Sequence, residues 1–146
     1  MEARRKRRYF DIFIRRFFMT WEDIKHFKPS EFDSPDEPGS GMRMDLAIVE
    51  VIDRARARAM RPIKINSGVR SQAHNDSLPD SVKDSAHVKG KAADVGTPNS
   101  YLRFVVVDEA LRSGIRRIGI GSNFVHLDND TSLPQDVIWV YSKNTS

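Results

Sequence analysis

The chain has 146 residues and a formal net charge of +4, enough for one domain with a real core but too short for two good ones. It contains no cysteine, which excludes a disulfide framework and any thiolate metal site, so a metal would have to be held by His, Asp or Glu. The basicity is local: residues 1–18 hold seven Lys and Arg against two acidic residues, leaving 17 against 18 in the remainder, so the domain itself is not a polyanion binder.

The basic arm, MEARRKRRYFDIFIRRFF, interleaves its charges with Tyr9, Phe10, Ile12, Phe13, Ile14, Phe17 and Phe18. A helix of this composition lies on an anionic surface, and the plainer alternative is a solvated, frayed extension. Asp11, Arg15 and Arg16 interrupt the apolar positions, so no run approaches the about 18 residues of a membrane span. No signal peptide is evident, because neither an apolar h-region nor a small-residue cleavage site follows the basic run. The expected division is an arm over 1–18 and one domain over 19–146.

Within the domain, Thr20 with Asp23 and Ser30 with Asp33 have capping-box spacing, which predicts short helical turns at Trp21 and near Glu31. The stretch SPDEPGSG (34–41) reads as a loop. Met44, Ala47, Ile48, Val51, Ile52 and Ala55 then fall on one face of a long helix that Pro62 terminates. Residues 63–66 read as a strand running into a turn at Ser67 and Gly68, with a polar loop over 69–83. A strand over 91–95, a helix over 100–112 stopped by Ser113 and Gly114, and strands over 115–120, 124–127 and 137–141 complete the pattern. This order predicts an α+β fold with a small antiparallel sheet and helices packed on one side.

The stretch SAHVKGKAAD (85–94) carries the most chemistry. A turn at Gly90 puts His87 on the loop entering the strand and Asp94 on the strand itself, while Ala92 and Ala93 allow close backbone packing. His126, in the predicted strand around FVHLD, supplies a third group. Two histidines and one carboxylate with an open fourth position are what a catalytic zinc ion needs to acidify water. Taken singly, each residue has a plainer reading: a lone histidine is commonly a core or surface hydrogen-bonder, and Asp94 could end a strand.

The chain resembles the zinc D-Ala-D-Ala carboxypeptidase and L-Ala-D-Glu endopeptidase family of cell-wall metallopeptidases, which is related in fold to hedgehog. The family pattern Ser-x-His-x-x-Gly-x-Ala-x-Asp is matched by Ser85, His87, Gly90, Ala92 and Asp94. INSGVRSQAHN (65–75) resembles the family's strand followed by Ser-Gly-Tyr-Arg-Ser and His-Asn, with Val69 in the tyrosine's place, and NFVHLD (123–128) resembles its closing His-x-Asp segment. HFKPSEF (26–32) is also similar, so the likeness spans nearly everything after residue 20.

The resemblance implies a hedgehog/D-Ala-D-Ala peptidase-like fold, with His87, Asp94 and His126 as ligands of one Zn²⁺. It implies that Arg70 holds a substrate carbonyl or carboxylate and steadies the oxyanion. Ser85 either hydrogen-bonds the bound peptide or caps a turn; His74 and Asn75 brace the loop, and His26 is structural. Many members carry an acid three residues before the last histidine, where this chain has Asn123, which takes no proton at neutral pH. Asp128 shares a strand face with His126 and is the substitute, either as general base or as a partner that orients a ligand.

The implied activity is hydrolysis of a bond next to a D-amino acid in a peptidoglycan peptide, as in a phage-type lysin. The protein is expected to be a monomer, made in the cytoplasm and acting at the cell wall. The alternatives are a catalytically silent wall-binding or virion module, suggested by Asn123, and a nucleic-acid binder. The last rests on the arm alone, so no specific nucleic-acid partner is expected.

Overall fold

The computed structural model describes residues 18–142, so the arm, apart from Phe18, lies outside the described residues. Thr20 opens a short 3₁₀ turn over Trp21–Asp23, its Oγ accepting from Glu22 N at 3.3 Å while its own N–H donates to Asp23 at 2.8 Å. The second turn is Pro29–Phe32, and its cap differs from the expected Ser30–Asp33 pair. Lys28 N donates to Glu31 at 2.8 Å, because Pro29, with φ preset and no N–H to satisfy, is best placed as the first residue of the turn. Asp33 is thereby free to bind the loop, accepting from Gly39 N at 2.9 Å and Gly41 N at 2.7 Å.

The long helix, α1, spans Leu46–Ala59, starting after the Asp45 cap, whose carboxylate accepts from Ala47 N at 2.9 Å. Ile48, Val51, Ile52 and Ala55 are buried as the periodicity predicts, and Met44 is buried just ahead of the cap. Met60 in the left-handed region ends the helix two residues before Pro62. Asp53 on α1 accepts from Lys25 N at 3.1 Å and His26 N at 2.8 Å, tying the N-terminal segment to the core. A short helix, α2 (Gln72–Ser77), occupies part of the predicted polar loop, capped by Ser71, which accepts from His74 N at 3.0 Å. The third helix, α3 (Ser100–Arg112), has its predicted bounds and is capped by Asn99.

Five strands form one sheet: β1 (Ile65–Ser67), β2 (Ala92–Gly96), β3 (Arg117–Ile120), β4 (Phe124–Asp128) and β5 (Val137–Val140), in the order β1-β2-β4-β3-β5. The fold is α+β, as expected, and four of the strands are joined antiparallel. β5 departs from the all-antiparallel expectation, because the chain leaving β4 loops round and returns beside β3 in the same direction.

Alternation along the strands separates two faces. Ala93, Val95, Ile118, Val125 and Leu127 point into the core, where α1 and α3 pack on each other and on β2 and β4. Each fully buried Val, Ile or Leu on this face stabilises the fold by about 1.5–3 kcal/mol. The alternate residues, Asp94, His126, Asp128, Arg117, Gly119 and Trp139, share the opposite face, which no helix of that pair covers. This polar face is the floor of a cleft of about 800 Å³.

Candidate metal centre

The register of the sheet assembles the centre. Asp94 on β2 is directly paired with His126 on β4, and Ala92 is paired with Asp128. Opposed residues in antiparallel strands lie about 4.5–5.5 Å apart at Cβ, so a carboxylate and an imidazole at those positions must meet. Ala92 and Ala93 are fully buried, and larger side chains there would push against the neighbouring strands.

His87 comes in from the loop ahead of β2. Gly90 turns that loop at φ 69°, and a Cβ on it would collide with the Arg43 carbonyl. The turn is held by Lys91 N donating to Ala86 O at 2.9 Å and by Asp45 N donating to Gly90 O at 2.8 Å. His87 is 2% exposed, and its backbone carbonyl accepts from Arg70 N at 3.1 Å.

Three donor atoms converge: Asp94 Oδ1 lies 3.3 Å from His87 Nε2 and 2.9 Å from His126 Nδ1. Among the described residues, His87, Asp94 and His126 form the group able to hold a metal, with their ligand atoms within 4.8 Å of one another. The outer nitrogens fix the tautomers. His87 Nδ1 donates to Gly68 O at 2.8 Å and His126 Nε2 donates to Asp128 at 2.8 Å, so the lone pairs of both rings point inward at the carboxylate. Two lone pairs and an anionic oxygen facing one point require a cation between them.

The electrostatics say the same. With no cation bound, only protons can mediate these contacts: burial pushes Asp94 up, but its close approach to His87 and His126 holds it well below the usual carboxylate range. Burial pulls the His126 imidazole down, and its bonds to Asp128 and Asp94 more than reverse this, raising it to about 8. A proton on His126 thus takes the place of a cation when no metal is bound. The donor set suits zinc: nitrogen and oxygen ligands, hydrogen-bonded from behind, at the floor of an open cleft.

The other sequence-derived residues lie around this cluster. Arg70 lines the cleft, donating to Asp94 Oδ2 and to Ser67 Oγ, each at 3.2 Å. Ser85 also lines it, its Oγ accepting from His87 N at 3.2 Å. Asn75 is fully buried and its amide donates to Val82 O at 3.0 Å, bracing the loop that forms one cleft wall, while His74 lines the cleft outside the metal group. Asp128 is 1% exposed and engaged at both oxygens, by His126 and by Arg117 Nε at 2.7 Å. Asn123 is an exposed residue of the cleft rim.

A peptidase M15 family model matches residues 25–128, well over half of the chain. The chain belongs to the peptidase M15 family. No curated protein matches it. Membership makes the chain a metallopeptidase of a zinc-dependent family, and the matched segment contains all three metal-binding candidates, Arg70 and Asp128. Sequence reasoning passed over Arg117, Trp139 and Tyr141, which line the same cleft. Arg117 alternates with Ile118, a signal that it faces away from the core.

Proposed function

We propose that this peptidase hydrolyses a peptide bond adjacent to a D-amino acid in peptidoglycan stem peptides, acting at the cell wall in the manner of a phage-type lysin. His87, Asp94 and His126 are the ligands of one Zn²⁺, and the observation that carries the reading is the convergence of their three donor atoms on the cleft floor. When bound there, zinc supplies Lewis acidity toward water and the scissile carbonyl.

The chain's own groups do the rest. Arg70 spends one N–H on Asp94 and one on Ser67, and its remaining donors serve a peptide carbonyl or carboxylate and the oxyanion as the carbon becomes tetrahedral. Ser85 lies beside His87 and offers its hydroxyl proton to the peptide backbone while its oxygen caps the turn. Asp128 has two candidate roles: as general base it takes the proton of the attacking water, and as an orienting partner it keeps the His126 proton on Nε2. Its contacts with His126 and Arg117 support the orienting role.

The second reading is a silent module of the same fold. It is favoured by Asn123 at the rim and by the engagement of both Asp128 oxygens, which together leave the water without an evident base. Mass spectrometry of purified peptidoglycan incubated with the protein, with and without chelator, decides between the two. Chelator-sensitive release of peptide fragments supports the peptidase, and zinc uptake without any cleavage supports the silent module.

A further inference from the structure

β5 carries side chains that the metal cluster does not use, and they lie beyond the residues matched by the family. Trp139 pairs with Gly119, and Gly119 pairs in turn with His126. Trp139, Gly119, His126 and Asp94 therefore form one row across the cleft face of the sheet, and Gly119 is the position in that row without a side chain. A Cβ on Gly119 would stand 2.6 Å from Tyr141 Cε2 and 2.7 Å from both Cε2 and Nε1 of Trp139, inside van der Waals contact. Two aromatic rings occupy the space that any other residue at 119 would fill.

These rings form a wall beside the metal centre. The Trp139 ring lies 5.4 Å from that of His126, with the Arg117 guanidinium 5.1 Å above it. The Tyr141 ring sits between Phe124 at 5.1 Å and Trp139 at 6.1 Å. Its backbone is fixed as well, since Tyr141 N donates to Ile120 O at 2.9 Å and prolongs the β3–β5 pairing. Burial raises the phenol above its ordinary value, a push partly offset by the neighbouring Trp139. A phenol is both donor and acceptor, and Tyr141 lines the cleft together with Arg70 and Asp94.

We propose that Tyr141 is a substrate-binding residue whose O–H donates to a carbonyl oxygen of the bound peptide, alongside Arg70. Trp139 is its positioning residue, and Gly119 provides the room for both rings. The inference rests on the peptide-hydrolysis reading of the cleft. A neutral donor there complements the charged Arg70, which is already shared with Asp94, and its fixed ring loses little freedom when the peptide binds.

The test uses the full-length protein, zinc-loaded for turnover and metal-free for binding, with Tyr141→Phe, which removes only the hydroxyl, and Trp139→Ala, which removes the ring packed against Tyr141. Three quantities are read: kcat/KM on muropeptides, zinc stoichiometry, and equilibrium binding of a synthetic stem pentapeptide ending in D-Ala-D-Ala, measured in chelator where there is no turnover. Tyr141→Phe should lower kcat/KM and weaken pentapeptide binding by about 10-fold, the worth of one net hydrogen bond. Zinc content and melting temperature of Tyr141→Phe should not change, and Trp139→Ala should shift binding in the same direction. Wild-type rates and binding in Tyr141→Phe overturn the proposal, as does a loss of zinc or of stability that accounts for the activity. If the wild type binds the pentapeptide but cleaves nothing, hydrolysis falls, while a binding defect in Tyr141→Phe still supports Tyr141. If the wild type neither binds nor cleaves, both fall.

Discussion

Asp128→Asn is the perturbation on which the logic of the metal centre turns. The two Asp128 oxygens meet three donors: His126 Nε2–H at 2.8 Å on one side, and on the other Arg117 Nε at 2.7 Å with Asp130 N at 3.2 Å. An asparagine offers one oxygen and one NH₂. Its oxygen stays where two donors converge, so the NH₂ faces His126, and Nε2 must give up its proton to accept. The ring proton then moves to Nδ1, the atom 2.9 Å from Asp94, and the lone pair meant for the metal is lost. Removing such a partner typically costs about 10–100-fold in metal affinity, or roughly 1.4–2.8 kcal/mol. The assay is zinc competition against a chromophoric chelator at a pH above about 8, where the His126 proton no longer competes. Unchanged zinc affinity would refute the tautomer argument. If hydrolysis then falls by about 10²–10⁴, Asp128 is the general base instead.

The other predictions follow from neighbouring contacts. In metal-free protein, His126 rises from 6.5 to about 8. Its contribution of about 2 kcal/mol is complete below the unfolded value and lost as pH rises through 8. Thermal melts in chelator should therefore drop between pH 6 and 9, and a flat profile would refute this; zinc affinity should rise over the same interval as the proton leaves. Arg70→Ala should keep zinc yet lose about 10²–10³ in turnover if its donors serve the oxyanion, and unchanged kcat on a confirmed substrate would return Arg70 to a loop role. A Cβ on Gly68 would lie 2.5 Å from Phe32 O and 2.7 Å from Phe32 Cα. Gly68→Ala should thus displace the carbonyl that holds His87, costing about 1–3 kcal/mol of stability and weakening zinc binding, as melting and zinc titration will show.

Much of the centre was legible in the sequence because its determinants are local. Gly90 marks the turn, the two alanines mark close packing, and the two-residue step from His126 to Asp128 puts both on one strand face. The helices α1 and α3 were legible for the same reason, through their apolar period and stops. The short helix α2 was not, since one and a half turns give no periodicity to read, although Ser71 was a visible cap. The Ser30–Asp33 box lost to Lys28–Glu31 because Pro29 decides where that turn begins. The parallel pairing of β5, and with it the aromatic wall, depends on the path of the chain after β4, which no local pattern records. Gly119 accordingly reads as an ordinary strand residue until Trp139 is seen beside it.

The arrangement of the sheet also explains why this cleft holds charge without losing the fold. Asp94, His87, His126 and Asp128 are buried or nearly so, and isolated ions in such surroundings would be costly. Here each outward bond ends on a fixed partner: Gly68 O for His87, Arg117 for Asp128, and Arg70 for the second oxygen of Asp94. Those partners neutralise or satisfy every side of the cluster except the inner one, where the remaining negative potential is concentrated on a single point. A proton on His126 meets that need only partly, since it serves one nitrogen and leaves His87 Nε2 facing Asp94. A divalent ion meets all three donors at once, so the bonds to Gly68 O, Arg117 and Arg70, made to outer atoms, prepare the centre for a metal.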